Sequence, residues 1–134
     1  MPGSFFDTNV LVYLLSDDQA KADRAGVLIE EGGTVSVQVL NELANVARRK
    51  RTLPWSELRQ FLSTVCSLLE VCPLTKELHD RGLALAEHHK LSVYDAMIVA
   101  AALEAGCETL WSEDMHHGLM IEHQLRIINP FVAA

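Results

Sequence analysis

The stretch Ser92-Val93-Tyr94-Asp95-Ala96-Met97-Ile98-Val99-Ala100-Ala101-Ala102-Leu103-Glu104-Ala105, closed by Gly106 and followed by Cys107-Glu108-Thr109-Leu110-Trp111, decides the fold. Ser92 is read as opening a helix that runs through Ala105. From Ala96 to Leu103 that helix is apolar nearly all round, so it must lie at the centre of a domain. Gly106 stops it, and Cys107–Trp111 reads as a strand. A helix buried on every side beside an apolar strand needs a sheet beneath it and other helices around it.

The rest of the chain supplies those parts. Ser4–Phe6 reads as a short buried strand ending near Asp7, with a helical turn in the apolar run Val10–Leu15. Ala20–Glu31 reads as a helix stopped by Gly32-Gly33. The β-branched alternation of Thr34–Val39 predicts a strand, and Leu40–Arg51 a helix with Leu43, Val46 and Ala47 inward. Pro54 breaks the chain, and Ser56 is the expected cap of the next helix. There Leu58, Phe61, Leu62, Val65, Leu68 and Leu69 form a helical stripe. A strand at Val71–Leu74, a helix at Lys76–His89 and a strand at Leu125–Ile128 before Pro130 complete the reading. Strands that alternate with helices and are continuously apolar argue a parallel sheet covered on both faces. The expected fold is a three-layer α/β/α sandwich with a central parallel sheet of four to five strands, a single domain over residues 1–134.

The chain has 134 residues, 49% hydrophobic and 22% charged, with a formal net charge of −7. A chain of this length buries roughly 65–70% of its unfolded surface and needs no disulfide or metal to fold. No apolar run reaches the ~18–20 residues of a membrane span. No export signal is read at the N-terminus. Cys66, Cys72 and Cys107 make an odd count with no CxxC pair, so reduced, buried thiols and a cytoplasmic location are expected. The acidic balance and the 6% aromatic content count against a passive RNA-binding module. They leave room for an enzyme that concentrates its carboxylates in one place and meets phosphate through cations.

In open parallel sheets, sites gather beyond the carboxyl ends of the strands at the point where strand order reverses. Asp7 and Asp114 both follow predicted strands, Glu42 lies in the early turns of the helix after the second strand, and Asp95 lies in the first turn of the buried helix. Each also has a plainer reading. Asp7 suits an Asx turn or helix N-cap, Ser92-Val93-Tyr94-Asp95 has the pattern of a capping box, Asp114 suits a turn, and Glu42 suits a solvated helix face. The set shifts the balance. Four carboxylates at ~5 Å would repel by roughly 3 kcal/mol per pair at an effective dielectric of 20. Such a cluster needs protons or hard cations, and oxygen ligands without Cys or His select Mg²⁺ or Mn²⁺.

The segments Phe6-Asp7-Thr8-Asn9-Val10-Leu11, Leu40-Asn41-Glu42-Leu43, Ser92 to Ala102 and Trp111-Ser112-Glu113-Asp114-Met115 together resemble the PIN domain, most closely the small prokaryotic PIN proteins of which VapC-type toxins are the best-known members. The likeness runs along the whole chain in the right order, and the closing Leu125–Phe131 shares it. It implies that Asp7, Glu42, Asp95 and Asp114 are the catalytic, metal-binding acids, with Thr8, Asn9 and Ser112 in support. Asp7 and Asp95 would be inner ligands, Asp114 a further ligand, and Glu42 a ligand or water-orienting base. Many relatives carry another acid where this chain has His116, and Glu113 falls at a variable position. The resemblance also implies that the first and fourth strands are neighbours. The implied activity is Mg²⁺- or Mn²⁺-dependent endoribonuclease cleavage leaving a 5′-phosphate and a 3′-hydroxyl, with one cation activating water and a second neutralising phosphate at ~3.5–4 Å from it. A homodimer and a cognate antitoxin partner are implied in the same way.

Setting the four acids aside brings the formal charge from −7 to −3. The run Arg48-Arg49-Lys50-Arg51, soon after Glu42, reads either as cations suited to a helix C-terminus or as a guide for the RNA backbone. His88-His89 reads as an exposed helix end, and His116-His117 as residues near Asp114 without a zinc-binding spacing. Two other classes compete with the nuclease. A phosphoaspartate protein of the receiver or dehalogenase type would want a second aspartate where Asn9 stands, and a non-catalytic PIN-fold module would tolerate loss of an acid, yet all four are present.

Overall fold

The computed structural model describes residues 3–132. Its elements in chain order are β1 (Gly3–Phe6), α1 (Thr8–Leu11), a 3-10 turn (Val12–Leu15), α2 (Gln19–Glu30), β2 (Thr34–Ser36), α3 (Val37–Arg49), α4 (Trp55–Leu68), β3 (Glu70–Cys72), α5 (Lys76–His89), α6 (Val93–Glu104), β4 (Cys107–Trp111), β5 (Met120–Ile121) and β6 (Leu125–Ile128). The strands form one sheet in the order β3-β2-β1-β4-β6-β5. Helices flank it in a three-layer α/β/α sandwich.

The sheet has six strands rather than four to five, and it is not wholly parallel. Every pair is parallel except β5 with β6, which run antiparallel through Met120↔Arg126 and Ile121↔Leu125. β5 has two residues, too few to display a period of two, and only its partner strand defines it. β1 and β4 are neighbours, with Phe6 opposite Trp111. The order reverses between them, so their carboxyl ends form the switch point.

α6 lies at the centre, as its composition demands. Every residue from Ala96 to Leu103 is buried, and the helix packs on α5, β4 and β2. Gly82 on α5 permits the closest approach: a Cβ there would sit 2.5 Å from Met97 Sδ and 3.4 Å from Met97 Cα. Ahead of β2, Gly33 takes φ +151°, and a Cβ would meet the Ser4 carbonyl oxygen at 2.6 Å. Only glycine fits the second of these positions without moving β1.

Three local expectations are corrected. The strand read over Thr34–Val39 ends at Ser36, whose hydroxyl accepts a hydrogen bond from Val39 N–H and starts α3 at Val37. Helix capping there outweighs the strand preference of Val37 and Val39. α4 begins at Trp55 after Pro54, so Ser56 lies inside the helix and does not cap it. Proline with its fixed φ feeds the chain directly into the first turn. The cysteines are not all buried: Cys107 is, Cys72 is half-buried and Cys66 is exposed. Among the described residues no helix is long and apolar enough to cross a membrane.

Candidate active site

Asp7 follows β1 directly, and its N–H donates to the Trp111 carbonyl at 3.0 Å, continuing the β1–β4 pairing past the strand. It is an N-cap as well as a candidate ligand. Its Oδ1 accepts from Thr8 N–H at 2.7 Å, while its Oδ2 accepts from Ser112 Oγ at 2.8 Å and from Asn9 Nδ2 at 3.1 Å. Ser112, fully buried at the end of β4, also accepts from Met115 N–H at 3.2 Å. Asn9 Oδ1 accepts from Glu113 N–H at 2.9 Å. The ends of the two central strands are thus laced together around one carboxylate.

Glu42 lies in the second turn of α3, half-buried. Gln38, one turn earlier, donates from Nε2 to Glu42 Oε2 at 2.7 Å, and the Thr8 hydroxyl reaches Oε1 at 3.4 Å. At the start of α6 the Ser92 hydroxyl is the cap, accepting from Asp95 N–H at 3.1 Å. The Asp95 carboxylate lies on the same side as the other acids. Asp7, Glu42, Asp95 and Asp114 all line one cavity of about 460 Å³, with Thr8, Asn9, Tyr13, Lys50, Arg51 and Glu113 also on its wall.

The electrostatics follow from that crowding. Burial, with the charges of Asp95 and Glu42 adding to it, raises the Asp7 pKa to about 6 despite the opposing bonds from Ser112 and Thr8. Burial also raises Asp95, helped by the Asp114 charge and resisted by the Ser92 hydroxyl. Glu113 behaves in the opposite way. Burial pushes it up, but hydrogen bonds from Lys21 and Tyr13 outweigh that and hold it below the usual carboxylate range.

Glu113 is occupied. Lys21 Nζ lies 2.6 Å from its Oε2, and the Tyr13 hydroxyl donates to its Oε1 at 2.7 Å. The ammonium also donates to the Tyr13 oxygen at 3.1 Å and sits over the rings of Tyr13 and Phe131, at 4.7 and 5.1 Å from their centroids. Gln38, Lys21 and Tyr13 are the site residues that sequence reading missed. Gln38 carried a usable signal, one helical turn before Glu42. Lys21 and Tyr13 stand 92 and 100 residues from Glu113, and no local pattern pairs them.

The basic run divides. Lys50 and Arg51 line the acid-walled cavity. Arg48 is committed elsewhere, with its guanidinium 4.2 Å from the Trp55 ring centroid and Nη1 donating to the Leu53 carbonyl at 2.7 Å. Arg49 is exposed in the last turn of α3. Of the histidines, His116 is exposed, and His117 Nδ1 accepts from Asn129 N–H at 2.9 Å.

The donor set suits a hard divalent cation, because the four acids offer oxygen alone and Asp7 is buried among like charges. Among the described residues, no three acidic, histidine or cysteine side chains form a preassembled metal site.

The PIN domain family matches residues 4–117, and the chain belongs to that family. No match is found among curated protein sequences. Solved structures similar to the chain include a toxin–antitoxin complex from Klebsiella pneumoniae, at 21% identity and TM-score 0.72, covering 96% of this chain and 98% of that one. A DNA-bound VapBC from Salmonella typhimurium is similar at 20% identity and TM-score 0.68, covering 95% and 97%. The sarcin-ricin loop cleaving toxin VapC20 of Mycobacterium tuberculosis is similar at 17% identity and TM-score 0.65, covering 84% and 90%. At these identities the likeness is one of fold.

Proposed function

We propose that the protein is a Mg²⁺- or Mn²⁺-dependent endoribonuclease, the toxin of a toxin–antitoxin pair. The observation that carries this reading is the convergence of Asp7, Glu42, Asp95 and Asp114, from four separate elements, on one cavity at the switch point, with Asp7 raised to about 6. Membership of the PIN family supports a nuclease, and the toxin–antitoxin complexes among its structural neighbours support a cognate antitoxin. A homodimer and a cytoplasmic location belong to the same reading, as does one domain spanning the chain.

A divalent cation would supply a water activated near neutral pH and charge neutralisation at the phosphodiester. Asp7, Asp95 and Asp114 would hold it. Glu42, kept in place by Gln38 and Thr8, would hold it or orient the attacking water. Ser112 and Asn9 fix the Asp7 carboxylate, and the bonds from Ser112 and Thr8 keep it ionisable by offsetting part of its burial. Water adds to phosphorus, the bond to the 3′-oxygen breaks, and that oxygen takes up a proton, leaving a 3′-hydroxyl and a 5′-phosphate. Lys50 and Arg51 on the cavity wall would meet flanking phosphates.

The test is cleavage of a structured RNA pool by the wild type and by Asp95→Asn purified in parallel, with Mn²⁺ and with EDTA. Cleavage confined to the wild type with Mn²⁺, with 5′-phosphate ends, supports the reading. Equal cleavage by both proteins, or cleavage in EDTA, contradicts it.

A further inference from the structure

We propose that Lys21 and Tyr13 are positioning residues that set the place of Asp114 by clamping its neighbour Glu113. The inference rests on the reading that the four acids hold a divalent cation. Asp114 is exposed, in the loop after β4. The loop backbone is held to α1 by the Glu113 N–H, which donates to Asn9 Oδ1 at 2.9 Å. On the outer side it is anchored by the Glu113 carboxylate, with each oxygen engaged by a different element: Oε1 by Tyr13 from the 3-10 turn and Oε2 by Lys21 from α2. Those two partners are themselves joined at 3.1 Å, and Lys21 is seated over two aromatic rings, so the clamp is triangulated. Glu113 lines the same cavity as the four acids yet has both its oxygens turned to other uses. In this arrangement it acts as a strut, and its charge is answered by Lys21.

The clamp makes a prediction opposite in sign to simple electrostatics. Loss of the Lys21 charge, or release of Glu113 as a fifth acid, would strengthen the binding of a cation. Loss of the strut lets the Asp114 segment wander and weakens it. Tyr13→Phe changes no formal charge and frees one Glu113 oxygen, so a weaker affinity in that variant reports loss of the strut.

The experiment is a Mn²⁺ titration, read by the electron paramagnetic resonance of the free ion, on the wild type, Lys21→Met, Tyr13→Phe and Lys21→Arg. Each is repeated in an Asp114→Asn background, with melting of the metal-free proteins as a control for folding. The expected result is at least about a threefold weaker affinity for Lys21→Met and Tyr13→Phe, the scale of coupling through a shared neighbour. Lys21→Arg should restore most of it, and the losses should vanish once Asp114 is replaced. An unchanged or tighter affinity in Lys21→Met and Tyr13→Phe overturns the clamp alone. So does a loss that persists undiminished with Asn at position 114. A wild type that binds no Mn²⁺ overturns the cation reading beneath it.

Discussion

The Ser112 hydroxyl donates to Asp7 Oδ2 at 2.8 Å, joining the ends of two strands that lie 105 residues apart in the chain. Ser112 is fully buried, and its oxygen also receives Met115 N–H. Ser112→Ala therefore leaves a buried carboxylate and an N–H short of a partner, at a cost of about 1–3 kcal/mol. The bond favours the ionised form of Asp7. The loss measured by urea denaturation should accordingly be larger at pH 8 than at pH 5.

Asp7 makes the metal-free protein sensitive to pH. Its folded pKa of about 6 lies above the ordinary value of 3.8, so the folded state binds its proton more tightly than the unfolded state does. The stability this confers is complete below about pH 4 and is lost as pH rises through 6, a swing of about 3 kcal/mol. Asp7→Asn keeps the cap on Thr8 N–H and removes the titration. The difference in unfolding free energy between variant and wild type should grow in the variant's favour from pH 4 to pH 7.

Lys50 and Arg51 face the cavity, whereas Arg48 is spent on Trp55 and Leu53. Replacing Lys50 and Arg51 together by Ala should make the salt dependence of single-stranded RNA binding shallower by about 1.4 in log–log slope. Arg48→Ala should leave that slope alone and lower stability by about 1 kcal/mol through the lost ring contact and hydrogen bond. Fluorescence anisotropy at several salt concentrations separates the two.

Two glycines give opposite results. At Gly26 in α2 a Cβ would point into open space, with nothing within 4 Å, so Gly26→Ala should stabilise by about 0.5–1 kcal/mol through helix propensity. Gly33→Ala forces a methyl against the Ser4 carbonyl at a φ that favours glycine, and should destabilise by at least about 2 kcal/mol. Thermal melting reads both.

The sequence carried the centre of this fold better than its edges. The run Ala96–Leu103 could only be a buried helix, and the strands that frame the switch point were short, apolar and bounded by clear stops. β5 was not legible because two residues define no period, and the β2–α3 boundary was blurred because Val35, Val37 and Val39 alternate across a Ser36 cap. The plain reading of Asp7 as an N-cap was sound, and the same carboxylate also lines the cavity. Local patterning brings out acids that follow strands. It is silent on partners such as Lys21 and Glu113, whose meeting depends on how α2 returns over the end of β4.

The central claim is that the four carboxylates form a cation site, and melting with and without Mn²⁺ at pH 7.5 tests it most directly on the wild type, Asp7→Asn and Asp95→Asn. A ligand at 100 times its dissociation constant stabilises by about 2.7 kcal/mol, on the order of 10 °C for a domain of this size. The expected result is that Mn²⁺ raises the wild-type melting temperature, that either substitution blunts the rise, and that both variants melt above the wild type without metal because repulsion is relieved. If Mn²⁺ leaves the wild type unmoved and both variants melt below it, the aspartates serve as helix caps and the cation site does not exist.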